Sequence, residues 1–247
     1  ILKIMEQGVP LHGPYTEFLT AEAPDVVMLT PMIDLGSPQL DMMRSARALG
    51  LRSVLSVGSW DHLSSKALIR TLPDMVTVWN NVQCGEAMSM HDVPEDRVTV
   101  TGAQCYDQWF DRQPSRSREA FCQEMDLAHD RPFVVYVCSS LFRGGPPEAE
   151  FALQWIRGIR KSNDPRLSGL GILVRPHPGR IDEWRSHDLS SLDVAMHGSN
   201  PIDYKSRDDY FDALYHSAAV VGLNTSAFLE AGIVGKPVLA VLPKSYW

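Results

Sequence analysis

No apolar run in the chain reaches the roughly 18–20 residues that a membrane-spanning helix needs. Residues 1–9 lack the charged-then-apolar order of a secretory signal. Cysteine is scarce: Cys84, Cys105, Cys122 and Cys138 are the only four in 247 residues, and no two stand at CxxC spacing. That pattern signals neither a zinc site nor a disulfide framework, and it suits reduced thiols in a cytoplasmic protein. Basic residues are outnumbered 23 to 30, for a net charge of −7 and no basic run. A phosphate-backbone binder shows the opposite balance, so nucleic acid is not an expected partner.

Several motifs are also missing. There is no GxxxxGK[ST], which argues against a P-loop nucleotidase, and no GxGxxG after a strand-like run, so the dinucleotide fingerprint is absent. Neither HExxH nor GxSxG occurs, which argues against a zincin and an α/β-hydrolase. No DxD pair is available to hold a metal–diphosphate, so no metal is expected.

What is present is a regular alternation. Short, mostly continuous apolar runs at residues 25–29, 53–57, 75–79, 98–101, 133–138, 171–174, 193–196, 218–221 and 237–242 read as strands buried on both faces of a parallel sheet. Between them, residues 39–49, 64–72, 148–161, 207–217 and 227–234 carry helical periodicity, with Phe151, Trp155 and Ile159 as one stripe. The class is α/β, built of βα units in doubly wound sheets. One polar, charged stretch, residues 111–130, interrupts the rhythm and holds a short helix at 117–125. The expected organisation is two domains, 1–113 and 131–247, joined by a linker at 114–130. A single sheet with a long surface excursion is the alternative. The chain begins with Ile1 rather than Met and ends just after a strand-like run, so it reads as a fragment or processed form.

Ligands of open α/β sheets bind outside the carboxyl ends of the strands, so the loops there are the candidates. After 218–221 come Gly222-Leu223-Asn224-Thr225-Ser226 and then a helix bearing Glu230. A helix start offers free N–H groups to a phosphate, the polar side chains of Asn224, Thr225 and Ser226 add donors, and Glu230 can accept from ribose hydroxyls. The plainer alternative is ordinary helix capping. After 171–174 come Arg175-Pro176-His177-Pro178, where two prolines fix the direction of the imidazole and Arg175 suits phosphate. A rigid turn with backbone-bonded side chains is the competing explanation. After 133–138, Ser139, Ser140 and Arg143 can touch phosphate or acceptor, or belong to a flexible loop. In the first half, Ser59-Trp60-Asp61-His62-Leu63-Ser64-Ser65-Lys66 offers Asp61 or His62 as a base toward an acceptor hydroxyl and Trp60 as a stacking surface. Here the alternative is a helix cap beside a buried Trp. Trp79-Asn80-Asn81 and Gly102-Ala103-Gln104 can line the same cleft. The remaining histidines, among them His91 and His216, show no partner pattern.

The R-P-H-P of residues 175–178, the G-L-N-T-S-A-F-L-E-A of 222–231 and the G-K-P-V-L of 235–239 together resemble the carboxyl-terminal domain of GT-B-fold glycosyltransferases. The nearest patterns are bacterial capsule and surface-polysaccharide transferases, CDP-glycerol glycerophosphotransferases and UDP-GlcNAc 2-epimerases. S-W-D-H-L-S-S-K (59–66), V-W-N (78–80) and V-T-G-A-Q-C-Y-D (100–107) resemble the acceptor-side domain of the same group. The resemblance implies two Rossmann-like parallel-sheet domains facing a cleft. Donor diphosphate would lie at Asn224, Thr225 and Ser226, ribose at Glu230, and the nucleotide or leaving phosphate at His177. It implies no cofactor beyond the nucleotide sugar itself, which is the donor substrate. The acceptor would be a glycan or glycolipid, which is compatible with peripheral contact at the inner membrane face. The 2-epimerases carry S-G-G where this chain has Asn224-Thr225-Ser226, which leaves less room for close backbone approach and favours transfer over epimerisation.

Overall fold

The computed structural model describes residues 8–32, 37–66, 68–139 and 147–243. The chain divides into two compact units, Ile1–Cys105 and Tyr106–Trp247. No helix among the described residues is long and apolar enough to cross a membrane.

The first unit holds a parallel sheet of β1 (Val26–Leu29), β2 (Arg52–Ser56), β3 (Met75–Val78) and β4 (Val98–Val100), in that spatial order. Val27, Leu29, Leu55, Val76 and Val78 form its core with Leu19, Met43, Ala46 and Ala87 from the helices Gly13–Glu22, Gln39–Ala48 and Asn81–His91. Burial on both faces, expected from the continuous runs, does not hold for β1: Val26 and Met28 are exposed while Val27 and Leu29 are buried.

The expected helix over 64–72 is also absent; a single wide helical turn, His62–Lys66, stands in its place. The cause is His91. Its Nδ1 accepts the Ile69 N–H at 3.0 Å and its Nε2 meets the Leu63 carbonyl at 2.7 Å. A backbone N–H taken by a side chain is lost to the i→i−4 ladder, and residues 68–72 run irregularly.

The second unit has a parallel sheet of β5 (Phe133–Val137), β6 (Gly171–Arg175), β7 (Ala195–Met196), β8 (Ala219–Gly222) and β9 (Val238–Ala240), in the order β7-β6-β5-β8-β9. Here two-sided burial is complete at the centre. Phe133, Val135 and Val137 enter one apolar cluster, and Val134, Tyr136 and Cys138 enter another on the opposite face. Ala152, Leu153 and Ile156 of the helix Glu148–Arg160 are buried against that second face, with the expected stripe of Phe151, Trp155 and Ile159 packed at its flank. Gly222 ends β8 so close to β5 that a Cβ there would lie 2.6 Å from the Val137 carbonyl oxygen.

The linker expected at 114–130 is part of the second unit. Phe121 and Cys122 of the helix Arg118–Glu124 are fully buried in its core beside Trp109. The polar residues that made the stretch look solvated are paired instead with the helix Tyr204–His216. Asp212, wholly buried, accepts the Ser115 N–H (2.9 Å), the Ser115 hydroxyl (2.7 Å) and Arg116 Nε (3.1 Å). Arg116 also pairs with Asp209 and Glu124, and Arg112 with Asp208. The unit boundary therefore falls at Cys105/Tyr106 rather than after residue 113.

Candidate functional site

In the second sheet β6 and β7 run outward from one side of β5, and β8 and β9 from the other. That reversal falls at the carboxyl ends of β5 and β8, the place where doubly wound sheets take their ligands. Ser139 leaves β5 there, Pro176-His177-Pro178 leaves β6, and Leu223-Asn224-Thr225 leaves β8.

Arg175 is the last residue of β6 and only 6% exposed. Its guanidinium lies 5.0 Å from the centroid of the Tyr210 ring and packs against Gly198, where an added Cβ would meet Arg175 Cζ at 3.1 Å. Among the described residues it makes no ion pair and no side-chain hydrogen bond. Burial pushes its pKa down, against the pull of Tyr210 and Asp209, yet a guanidinium stays charged in any protein environment. A buried cation with five donors and no acceptor is costly by itself, and an anion would satisfy it.

His177 caps the tight turn Pro178–Trp184, its Nδ1 accepting the Gly179 N–H at 3.1 Å. The neutral ring therefore carries its proton on Nε2. Burial, then the neighbouring Arg180, lowers its pKa. At neutral pH His177 is an uncharged hydrogen-bond donor, suited to a phosphate oxygen.

Glu230 lies in the first turn of the helix Ala227–Ile233. Its Oε2 accepts the Tyr210 hydroxyl, and burial raises its pKa. Tyr210 thus joins two of the expected site residues: its ring carries Arg175 and its hydroxyl holds Glu230, leaving Oε1 for another donor. No sequence signal marked Tyr210. It follows the apolar rhythm of the helix Tyr204–His216, and its ring also meets Trp109 edge-on at 5.7 Å. Asn224 and Ser226 are exposed, and Thr225 Oγ1 accepts the Ala227 N–H at 3.3 Å.

The raised Glu230 pKa has a definite sign. The protonated carboxyl is favoured in the fold, so its contribution is fully present below the ordinary value of 4.5 and is lost as pH rises through the raised one. Glu230→Gln keeps an acceptor for Tyr210 and removes that loss. In urea titrations from pH 4 to 8, the variant is expected to gain stability over the parent progressively with pH. Parallel curves would contradict the assignment.

Ser139 is buried, and both its N–H and its hydroxyl reach Glu148 Oε2 at 2.8 Å. The Tyr136 hydroxyl donates to Oε1 at 3.2 Å. Glu148, which the sequence reading missed, anchors the carboxyl end of β5, and burial raises its pKa against these bonds. Ser140 and Arg143 lie outside the described residues.

Asp61 and His62 belong to the first unit. Asp61 accepts the Ser59 hydroxyl at 2.6 Å and pairs with Lys66 at 3.4 Å. Burial raises its pKa, but these two partners outweigh it and hold the carboxyl below its usual range. His62 is buried, with Nδ1 accepting the Gly58 N–H at 3.3 Å. Trp60 is exposed, whereas the Trp79 indole donates to the Val57 carbonyl at 2.7 Å.

No family model and no curated protein matches the chain. Solved structures do. The chain is similar to the S. aureus MnaA–UDP co-structure over 92% of its own length and 60% of that chain, at 14% identity and a TM-score of 0.66. Similarity to the Neisseria meningitidis UDP-GlcNAc 2-epimerase bound to UDP-GlcNAc spans 92% and 62%, at 14% identity and 0.62. For the Methanocaldococcus jannaschii UDP-GlcNAc 2-epimerase the values are 94%, 67%, 14% and 0.59. The chain therefore spans about 60% of the length of the first two. The likeness shows the fold, two Rossmann-like α/β units of the GT-B type.

Proposed function

We propose that the second unit binds the nucleoside diphosphate half of a nucleotide sugar, and that the chain is part of a metal-independent glycosyltransferase acting on a surface-glycan or glycolipid hydroxyl. The observation that carries this reading is Arg175, buried and without an acceptor among the described residues, at the carboxyl end of β6. Structures of similar fold that hold UDP or UDP-GlcNAc support the ligand class.

In this reading the diphosphate neutralises Arg175 and accepts from His177 Nε2, with Asn224, Thr225 and Ser226 as further donors. Glu230, held by Tyr210, accepts from the ribose hydroxyls. As the acceptor oxygen attacks the anomeric carbon, the bond to the diphosphate breaks and its oxygen takes up charge. Arg175 and His177 meet that charge, a contribution worth a few kcal/mol per preorganised donor. Of the two expected bases Asp61 is the one that can take the acceptor proton, because His62 Nδ1 already accepts the Gly58 N–H and its ring proton therefore sits on Nε2.

UDP-sugar 2-epimerisation is the second reading, favoured by the fold of the structures just described. CDP-glycerol transfer and a non-catalytic nucleotide-sugar-binding module complete the set. One experiment separates them: incubation with UDP-, GDP- and CDP-linked donors, with and without a glycan acceptor, and analysis of products by mass and NMR. Transfer releases nucleotide only when acceptor is present and gives an elongated product, the expected outcome. Inversion at C2 without acceptor assigns an epimerase. Glycerol phosphate on the acceptor assigns the phosphotransferase. A raised melting temperature with no turnover assigns a binding module.

A further inference from the structure

The amino-terminal edge of the first sheet carries a feature unrelated to the site above. A groove of about 870 Å³ opens there, lined by Arg44, Arg47, Arg52, Arg70 and Arg97. Arg52 begins β2, and Arg97 directly precedes β4. Arg44 and Arg47 come from the helix Gln39–Ala48. The groove thus lies at the opposite end of the strands from Trp60 and Asp61, roughly 15 Å away at about 3.3 Å per strand residue.

The local charge reverses that of the whole chain. Arg70 has a partner of its own, and the other four arginines face two lining acids, Asp74 and Asp92, in a protein of net charge −7. Asp74 stays anionic: its Oδ2 accepts the Ser53 N–H at 2.8 Å and the Ser53 hydroxyl at 2.9 Å, and these bonds, with the charges of Arg97 and Arg52, hold its carboxyl below the usual range, so it offsets part of the positive lining. His91, also lining the groove, is held on both ring nitrogens, by the Ile69 N–H at 3.0 Å and the Leu63 carbonyl at 2.7 Å. Arg44 reaches Asp41 at 3.5 Å and the Val9 carbonyl, and Arg97 reaches the Pro73 carbonyl at 3.5 Å. Arg47 and Arg52 make no ion pair or side-chain hydrogen bond among the described residues. Clustered guanidiniums repel one another, and planar forks of this kind match phosphate oxygens two at a time. The volume exceeds what one small anion fills.

We infer that this groove is a second anion site of the protein, taking a ligand with two or more phosphate groups. The inference does not rest on the nucleotide-sugar reading. Such phosphates can belong to a soluble molecule or to phospholipid headgroups, and the test separates these sources.

Calorimetric titration with inorganic pyrophosphate is performed on the chain carrying Arg175→Met, which silences the second-unit site. One binding event is expected to remain. Adding Arg47→Ala and Arg52→Ala should weaken it by about a hundredfold, one order of magnitude for each charged hydrogen-bonding group lost. Both arginines are exposed, so the melting temperature of the multiple variant should match that of the Arg175→Met protein. Co-sedimentation with phosphatidylglycerol vesicles, against phosphatidylcholine vesicles, forms the second arm. Retention lost with Arg47 and Arg52 assigns the phosphates to lipid; pyrophosphate binding without retention assigns them to a soluble ligand. No pyrophosphate binding and no retention in the Arg175→Met protein, or values unchanged by the added substitutions, overturns the site.

Discussion

Arg175→Met is expected to weaken UDP binding by about 100-fold while leaving the unliganded fold as stable as the parent or more so. Both halves follow from one observation: the guanidinium is 6% exposed and has no described acceptor. Charge-assisted hydrogen bonds contribute about 1.5–3 kcal/mol each, and Arg175 can offer two to a diphosphate. Without ligand, the same group is a buried charge whose close partner is an aromatic ring, a contact of about 0.5–2 kcal/mol, with Asp209 acting from farther off. Methionine fills much of the same volume without a charge to desolvate, and replacing buried charges by apolar groups often stabilises by about 1–4 kcal/mol. A structural arginine would behave the other way, losing stability on substitution and leaving UDP affinity alone. Calorimetric titration with UDP and urea unfolding of the same two proteins distinguish the cases.

Asp212→Ala should cost about 3–5 kcal/mol of stability, the range for breaking a buried ion pair from one side. Asp212 is wholly buried and holds Ser115 through two hydrogen bonds and Arg116 through a third. Its loss leaves Arg116 with Asp209 and Glu124 only, and leaves the Ser115 N–H without its acceptor. Urea unfolding measures the loss. A value under about 1 kcal/mol, within the range of an exposed pair, would mean that this network does not dock residues 112–118 onto the helix Tyr204–His216.

These two residues show where the sequence was legible. The nine strands of the described residues lie within one or two residues of the apolar runs that announced them, because a continuous Val/Ile/Leu run has few other uses in a chain of this composition. R-P-H-P was legible as a rigid turn for a related reason: prolines constrain the backbone locally, and His177 caps a turn at a strand end, as the alternative to a binding role has it. The helices Gly13–Glu22 and Asn81–His91 were missed because their buried residues are too few to make a stripe: Leu19 in one; Gln83, Ala87 and His91 in the other. The helix over 64–72 was wrongly expected because its competitor, His91, comes from more than twenty residues away. The linker at 114–130 failed for the same reason. Its charges look solvated until their partners, nearly a hundred residues on, are placed beside them. Tyr210 belongs to this class too: a hydroxyl that reaches Glu230 across helices leaves no local pattern.

The central claim is that a nucleoside diphosphate sits at the carboxyl edge of the second sheet, and the structure of the protein crystallised with UDP tests it most directly. The account predicts phosphate oxygens at hydrogen-bonding distance, about 2.7–3.2 Å, from the Arg175 guanidinium and His177 Nε2, with the ribose beside Glu230. UDP bound elsewhere, with no phosphate oxygen at Arg175, would contradict it.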